Sequence, residues 1–248
     1  MIFSRIVYSA ILVGVVTGAV FSVLQVISLD PIILASETYE IEEAANGQSH
    51  GHDHGHSHDG WAPADGIERT AYTFLSNALA GTGFAAVLLA LMCLFWLSRN
   101  RDIGLGQGLL WGLAGYLAVY VAPAIGLPPE IPGVTAAPVE HRQIWWALTV
   151  ATVAFGLGLF AFAPNRYKAL GIVFLAVPYL IGAPHLEGPL FEHPDPAAVE
   201  ALTALHREFV LNTALVNLVF WLLMGSACRL AFNRWFRNIT MSDEYARA

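Results

Sequence analysis

The sequence predicts an all-α integral membrane protein, a polytopic helix bundle that forms a single membrane domain over residues 1–248. The chain has 248 residues, of which 56% are hydrophobic and 12% are charged. A soluble domain of this length carries about twice that fraction of charge. The apolar residues are gathered into runs that match the length of a bilayer-crossing helix, about 20 residues. Both cysteines lie inside such runs, so no disulfide framework is indicated.

Six membrane spans are predicted. They cover Ile6–Leu29, Tyr72–Leu97, Ile103–Ile125, Ile144–Ala163, Ala169–Ala183 and Phe209–Leu230. The fifth span is short for a bilayer and contains Pro178, which cannot donate a backbone hydrogen bond, so this is the least regular of the six. Residues 36–60, between the first two spans, are predicted to form a flexible, acidic and His-rich loop.

The distribution of charge predicts the orientation of the bundle. If both termini are cytoplasmic, nine of the twelve Lys and Arg residues fall in inner segments, as the positive-inside tendency requires. The same orientation places all nine histidines and sixteen of the nineteen acidic residues on the outer side. Acidic outer loops concentrate cations near the membrane. This sidedness favours uptake of a cation over its efflux.

Local signals mark where helices begin and where the chain turns. Asp65-Gly-Ile-Glu68 is typical of a capping box that starts a helix. Asp195 followed by Pro196 predicts an N-cap with proline at the first helical position. The segment 126–133 contains three prolines, and we expect a rigid turn there because proline interrupts the helical hydrogen bonds.

Five of the nine histidines form an alternating tract in the first outer loop. Imidazole and carboxylate groups are ligands for divalent ions such as Co²⁺, Ni²⁺ and Zn²⁺, and glycines leave this backbone free to wrap around an ion. The alternative is a solvated loop whose histidines bind nothing specific. A loose tract collects metal without selecting it. The predicted metal ligands here are His50, His52, Asp53, His54, His56, His58 and Asp59.

A second group of ligands is predicted in the last outer loop, where prolines and helix ends restrict the backbone. We expect His185, His193 and His206 to form an ordered metal site, helped by Glu187 or Asp195, with His141 as a possible fourth ligand. The alternative is that these are surface histidines bonded to nearby backbone or water.

Few polar residues fall within the spans. They line a hydrated path for the ion or bond neighbouring helices to each other, and both alternatives stay open. The candidates are Gln25, Asn77, Asn212, Thr213 and Asn217. Glycine seams, Gly14-xxx-Gly18-xxx-Ser22 and Gly104-xxx-Gly108-xxx-Gly112, predict close helix packing.

Several function classes are disfavoured. The sequence has no phosphate-binding loop, no nucleophile arrangement and no basic face for nucleic acid. No Asp, Glu or His lies in the middle of a span, so no charged intramembrane relay is expected. An enzyme with a histidine-bound metal is the least favoured class, because the ligands among the prolines indicate binding alone.

Four segments resemble the proposed cobalt transporter subunit CbtA family, besides the amino-terminal span and the His tract. They are Trp61-Ala-Pro-Ala-Asp-Gly-Ile-Glu-Arg-Thr70, Gly126-Leu-Pro-Pro-Glu-Ile-Pro-Gly133, Arg142-Gln-Ile-Trp-Trp146 and Gly182-Ala-Pro-His185. The resemblance implies a multi-pass component of the bacterial inner (cell) membrane that takes part in cobalt uptake and is linked to cobalamin biosynthesis. It also implies a small partner, CbtB, with one span and a His-rich end. The family is usually described with five spans.

The favoured function is therefore that of a membrane subunit for divalent-cation uptake, with Co²⁺ as the substrate that fits best and Ni²⁺ or Zn²⁺ as further candidates. The outer loops would capture the ion and the bundle would conduct it inward. The alternative is a membrane-bound protein that buffers or senses periplasmic metal without transporting it.

Overall fold

The computed structural model describes residues 2–46, 63–64, 66–99, 103–186 and 188–235. Its helices are α1 (Ile2–Ser28), α2 (Asp30–Asn46), α3 (Ile67–Arg99), α4 (Leu105–Tyr116), α5 (Ala122–Gly126), α6 (Val139–Phe162), α7 (Asn165–Ile181) and α8 (Pro196–Trp235). A π-helical turn, Leu117–Val121, joins α4 to α5. The described residues contain no strand, and their one β-bridge pairs Val134 with Phe191.

Five helical rods are long and apolar enough to cross a membrane, which confirms the all-α membrane class. They are α1, α3, the rod Leu105–Gly126, α6 and α8. Large apolar side chains cover much of the outside of these rods, as expected for a surface that faces lipid. At 40 residues, α8 is about 60 Å long, roughly twice the hydrocarbon thickness, so part of it must stand outside the bilayer.

The 17-residue helix α7 is shorter than these rods and overlaps the predicted fifth span, Ala169–Ala183, which stays a prediction as a membrane crossing. It starts just after Phe162, whose ring packs against Phe95 and Trp111. It ends at Gly182 with φ +85°, a conformation that favours glycine. There the neighbouring Ala183 lies against Gly126. The helix therefore runs antiparallel to α6 between the two ends of the bundle.

Glycine residues allow the backbones of α1 and α3 to touch, as predicted from the seam Gly14-xxx-Gly18-xxx-Ser22. A Cβ added to Gly14 would lie 2.2 Å from the backbone nitrogen of Thr82, and one added to Gly81 would lie 2.7 Å from the Gly14 carbonyl oxygen. In the second seam, a Cβ at Gly112 would lie 2.2 Å from the Trp221 carbonyl oxygen. Nothing lies near Gly104, so that seam is shorter than the sequence suggested.

The bundle ends in a cap on the side where α1 ends and α8 begins. We define the cap as α2, residues 127–138, residues 182–186 and 188–195, and the first four turns of α8. Its apolar core joins these parts and consists of Leu29, Ile32, Ile131, Phe191, Leu202 and Phe209. The Thr135 backbone N–H also donates to the Leu190 carbonyl, at 3.0 Å, which ties the two loops together.

Helix α2 corrects the prediction that all of residues 36–60 form a flexible loop. The helix reaches Asn46, so the first part of that segment is helical. The reason is packing: Leu29 and Ile32 are buried in the cap core, and Tyr39 packs against it from the third turn. Two predicted signals are confirmed nearby. The Asp195 carboxylate caps α8 through the Ala197 N–H at 2.9 Å, and residues 127–138 are not helical.

Candidate functional site

The His tract lies outside the described residues, with Glu187 and Asp65. Its ligands His50, His52, Asp53, His54, His56, His58 and Asp59 therefore stay predictions from the sequence. The candidate site consists of described residues of the cap and of the part of α8 that adjoins the cap.

The histidines of the cap surface lie on three different segments of the structure. His141 lies in the first turn of α6 and His185 follows α7, and both side chains are exposed. His193 lies in the turn before α8, where its Nδ1 accepts the Asp195 backbone N–H at 3.1 Å. Asp195 and His193 thus stabilise the start of the helix. Within the part of the chain that the structure describes, no three His, Cys, Asp or Glu side chains come together around a metal position.

Among the described histidines, His206 is distinguished by a half-buried ring that packs against an aromatic side chain. It lies on α8 before the predicted span Phe209–Leu230, and its ring meets the Phe191 ring edge-on, with centroids 6.1 Å apart. Its Nδ1 atom is buried and has no hydrogen-bond partner. Burial lowers the pKa of His206, and the negative charge of Glu130 opposes that effect. The imidazole is therefore held neutral, the form that binds metal.

Glu130 and Arg142, which were not among the predicted site residues, form an ion pair between the proline-rich turn and α6. Arg142 Nη2 donates to Glu130 Oε2, and both side chains are about three-quarters buried. They line an open pocket of about 380 Å³ between the turn at 127–130 and α6. The sequence held a signal for this pair: Arg142 is one of three basic residues assigned to the outer side, and Glu130 lies in the proline-rich turn just before it.

Two tyrosines separate this pocket from α8. Tyr116 and Tyr120 stack with ring centroids 5.4 Å apart. The Tyr116 hydroxyl donates to the Ala214 carbonyl at 3.1 Å, and the Tyr120 hydroxyl reaches the Val210 carbonyl at 3.5 Å. The π-helical turn ends at Val121, two residues before Pro123, whose ring would clash with the fourth carbonyl before it in a regular α-helix.

A polar face runs down α8 behind the tyrosines. His206, Thr213 and Asn217 share it, because residues seven and four apart lie on one side of a helix. The Thr213 hydroxyl is buried without a partner, and the Asn217 amide donates to the Thr213 carbonyl at 2.9 Å. Asn212, another predicted path residue, is half-buried. Unsatisfied buried polar atoms are rare in native structures and point to a ligand or water.

The other predicted path residues bond helices to each other. Asn77 on α3 donates its amide nitrogen to Ser22 Oγ at 2.9 Å and to Gln25 Oε1, both on α1. These contacts support the interhelical alternative for Gln25 and Asn77, whereas Thr213 and Asn217 keep the possibility of a path.

Three of the segments that carry the family resemblance converge beside the pocket. Glu130 of segment 126–133 is paired with Arg142 of segment 142–146. Gly126 lies so close to Trp145 and Ala183 that an added Cβ would be 2.4 Å from the Trp145 ring and 2.9 Å from the Ala183 Cβ. The Trp145 indole N–H also donates to the Pro178 carbonyl at 3.2 Å. Segments distant in sequence thus form one structural unit.

A family model described as "Probable cobalt transporter subunit (CbtA)" matches residues 3–233, nearly the whole chain. This chain belongs to the CbtA family. CbtA proteins are by that description subunits, so this one works with at least one other chain, and its five long apolar helices make it a multi-pass membrane protein. No curated protein and no solved structure matches the chain significantly.

Proposed function

We propose that this CbtA protein conducts Co²⁺ inward across the bacterial inner membrane, with the cap on the periplasmic side. The observation that carries the proposal is the line of polar groups from the cap into the bundle. His206 lies at its cap end, and Thr213 and Asn217 continue it along α8. Nickel and zinc fit the same ligand types and are secondary candidates.

Charge supports this orientation. The cap end carries Glu37, Glu68, Glu130, Glu192 and Asp195, whereas the opposite end carries Arg5, Arg166, Lys168, Arg229 and Arg234. Basic residues favour the cytoplasmic side of a membrane. An acidic cap on the periplasmic side would raise the local concentration of cations. Both termini would then be cytoplasmic, with α7 as a sixth crossing.

The surface histidines have a role in capture. The tract at 50–58 would collect ions, and the exposed His141 and His185, the half-buried His193, and Glu187 and Asp195 would extend the collecting surface. Neutral ligands on α8 would then carry the ion inward, since conduction needs contacts weak enough for the ion to leave each position. This division of labour predicts that the tract sets the response to scarce metal.

The partner is proposed to be a CbtB-like subunit with one span and a His-rich end, and the transported cobalt to serve cobalamin biosynthesis. Both proposals come from the family resemblance. The test is ⁵⁷Co²⁺ accumulation in cells that express the chain alone, the partner alone or both. We expect accumulation against the empty-vector control only when this chain is present. A buffer would bind Co²⁺ at the cell surface, so a brief chelator wash would remove the label.

A variant with His50, His52, His54, His56 and His58 replaced by alanine tests the capture role. Uptake should fall at scarce Co²⁺ and be unchanged at saturating Co²⁺, because the tract raises local concentration without forming the path. The measurement is the initial rate over a range of Co²⁺ concentrations. A loss of the maximal rate would place the tract in the path itself.

A further inference from the structure

We propose that the pocket lined by Glu130 and Arg142 binds the headgroup of one aminophospholipid of the surrounding bilayer. The lipid phosphate would lie on Arg142 and the lipid ammonium on Glu130. Both side chains line this pocket of about 380 Å³ between the proline-rich turn and α6. The inference goes beyond the proposed uptake function and does not depend on it, because it concerns only how the cap end of the bundle meets the membrane.

The pocket lies at the depth of the lipid headgroups. Its walls are the last turns of the rod Leu105–Gly126, including Tyr120, and the first turns of α6, from Val139 to Trp146. With 22 and 24 residues, these two helical rods are about 33 Å and 36 Å long, slightly more than the hydrocarbon thickness of about 30 Å. Their cap ends therefore reach the boundary between acyl chains and headgroups, and the pocket lies there with them.

The α6 side of the pocket carries the exposed side chains that suit such a boundary. Val139 is 59% exposed and Trp146 is 41% exposed, and both line the pocket together with Gln143. The three residues are four and three apart, so they share one face of α6. Tryptophan favours the membrane interface, where its ring meets both acyl chains and headgroups. A lipid chain can thus lie against Trp146 while its headgroup occupies the polar part of the pocket.

The Arg142 guanidinium has donors to offer a phosphate. Its one hydrogen bond to a described residue joins Nη2 to Glu130 Oε2, and 29% of the side chain is exposed. Four of the five N–H donors of this group are therefore left for water or a ligand. Arginine binds phosphate through two parallel hydrogen bonds, which require such free donors. The start of α6 adds to this preference, because Pro138 provides no side-chain cap and helix starts favour anions.

Glu130 supplies the opposite charge from a fixed position. Pro128, Pro129 and Pro132 restrict the backbone on both sides of it. Ile131 is 3% exposed and packs in the cap core. The carboxylate uses Oε2 to accept from the guanidinium, and Oε1 has no hydrogen-bond partner among the described residues. This second oxygen can accept a hydrogen bond from an ammonium group.

The two charges together favour a zwitterionic headgroup. The charges of Arg142 and Glu130 sum to zero, so a ligand with one negative and one positive group is complementary to both. An anionic headgroup would meet the negative charge of Glu130 without a cation to offset it. The trimethylammonium of a choline lipid has no N–H to donate, whereas the ammonium of an ethanolamine lipid has three. The pocket should therefore prefer the ethanolamine headgroup.

The alternative is that the Arg142–Glu130 pair only fastens the turn to α6 and that the pocket holds water. In that case phospholipids bind the chain without regard to their headgroup. Substitutions in the pair would then change the stability of the protein and leave its lipid affinity unchanged. The two explanations are separated by comparing headgroups and variants in one binding assay.

The experiment is native mass spectrometry of the purified full chain in detergent, titrated with phosphatidylethanolamine, phosphatidylcholine or phosphatidylglycerol of identical acyl chains. We expect the first ethanolamine lipid to bind about two- to fivefold more tightly than the other two, the range given by a partly exposed ion pair. Glu130→Gln should abolish the preference over the choline lipid. Arg142→Gln should weaken binding of all three lipids, because each carries a phosphate.

Three controls complete the test. Arg69→Gln breaks a second ion pair, Arg69–Glu37 at 3.0 Å, and should leave the lipid affinities unchanged. Glycerophosphoethanolamine, the same headgroup without acyl chains, should fail to displace the lipid at equal concentration, because it lacks the apolar contacts with Trp146. If Arg142→Gln does not fold, Arg142→Met keeps the aliphatic stem and carries the same expectation.

Equal affinity of the parent chain for the three lipids overturns the inference. Unchanged lipid affinities in both pair variants also overturn it, and a lower Tm in those variants would then assign the pair to fastening the turn. Displacement of the lipid by an equal concentration of glycerophosphoethanolamine would assign the pocket to a soluble ligand and refute its assignment to a membrane lipid.

Discussion

Asn77 shows what a buried polar residue in this bundle contributes. Its amide joins α3 to Ser22 and Gln25 of α1, and these three side chains satisfy one another in an apolar surrounding. Thr213 contrasts with it, because its hydroxyl is buried without a partner. The same residue types thus have two roles, and only the tertiary structure separates them.

We expect Asn77→Leu to lower the free energy of unfolding by about 1 kcal/mol, the scale of hydrogen bonds between membrane helices. Uptake per folded molecule should stay near that of the parent, because Asn77 serves packing. The measurement is thermal unfolding in detergent beside a Co²⁺ uptake assay normalised to protein level. Ser76→Leu, at an exposed position of the same helix, is the matched control. A stable Asn77→Leu protein without uptake would return Asn77 to the path.

His206 should make the stability of the metal-free protein depend on pH. Burial lowers its pKa below the ordinary value of 6.5, with Glu130 opposing the shift. As the pH falls through about 6.5, the unfolded chain takes up this proton before the folded chain does, so stability decreases. Between pH 7.5 and 5.5, Tm should fall less in His206→Gln than in the parent. His141→Gln, at an exposed histidine, should follow the parent, and equal slopes in all three would contradict the assignment.

At the scale of elements, the α1–α3 interface depends on glycine. A Cβ at Gly14 would overlap the Thr82 backbone, which cannot move aside, whereas Gly83 on the same α3 has nothing within 4 Å. The two positions therefore form a matched pair for testing the seam.

We expect Gly14→Leu to separate α1 from α3 and reduce both the yield of folded protein and its Tm. Gly83→Leu adds the same side chain in open space and should behave like the parent. The readouts are the monodisperse fraction after solubilisation and the unfolding temperature. Equal losses in both variants would mean that bulk at any membrane position is harmful and that the seam has no special role.

The sequence predicted the helices that local patterns of residues mark. It missed the parts of the fold that depend on contacts between residues distant in sequence. Long apolar runs and the Asp195-Pro196 cap predicted the rods and the start of α8. Helix α2 was missed because its residues 36–46 are acidic, and its helix is fixed by burial of Leu29 and Ile32 against the cap. The π-helical turn had only Pro123 as a signal.

The candidate site was partly predictable for the same reason. His206 was predicted from its position on a polar helix face. Glu130 and Arg142 were not predicted because their pairing requires the turn and α6 to meet. The grouping of His185 and His193 with His206 was predicted from the prolines and helix ends that restrict this loop, and in the structure His193 Nδ1 accepts a hydrogen bond from its own turn.

For the whole molecule, the decisive question is whether α7 crosses the membrane. It packs antiparallel to α6, with Gly171 against Gly156 and the Pro178 carbonyl accepting from the Trp145 indole N–H. A crossing α7 places both termini on one side, and a non-crossing α7 places them on opposite sides.

Single cysteines at Leu186 and Asn165 test this arrangement, because both positions are exposed and the native Cys93 and Cys228 are buried. In intact spheroplasts, an impermeant thiol reagent should label the cysteine at Leu186 and spare the one at Asn165 until the membrane is opened. A further cysteine at Ala197 should behave like the one at Leu186. Equal labelling of Leu186 and Asn165 positions would show that α7 lies along one surface.

The π-helical turn also determines which changes of chain length the bundle tolerates. A π turn holds one residue more than the α-helical turn it replaces. Deleting one residue within Leu117–Val121 would convert the π turn into an α-helical turn of nearly the same angular sweep, although Pro123 would then meet the carbonyl four residues before it. Tyr116 and Gly112 would stay on α8, while Pro123 and Glu130 kept their places. A one-residue deletion in the regular part of α4 would instead rotate the residues before it by about 100° and change the angular phase between the membrane seam and the cap.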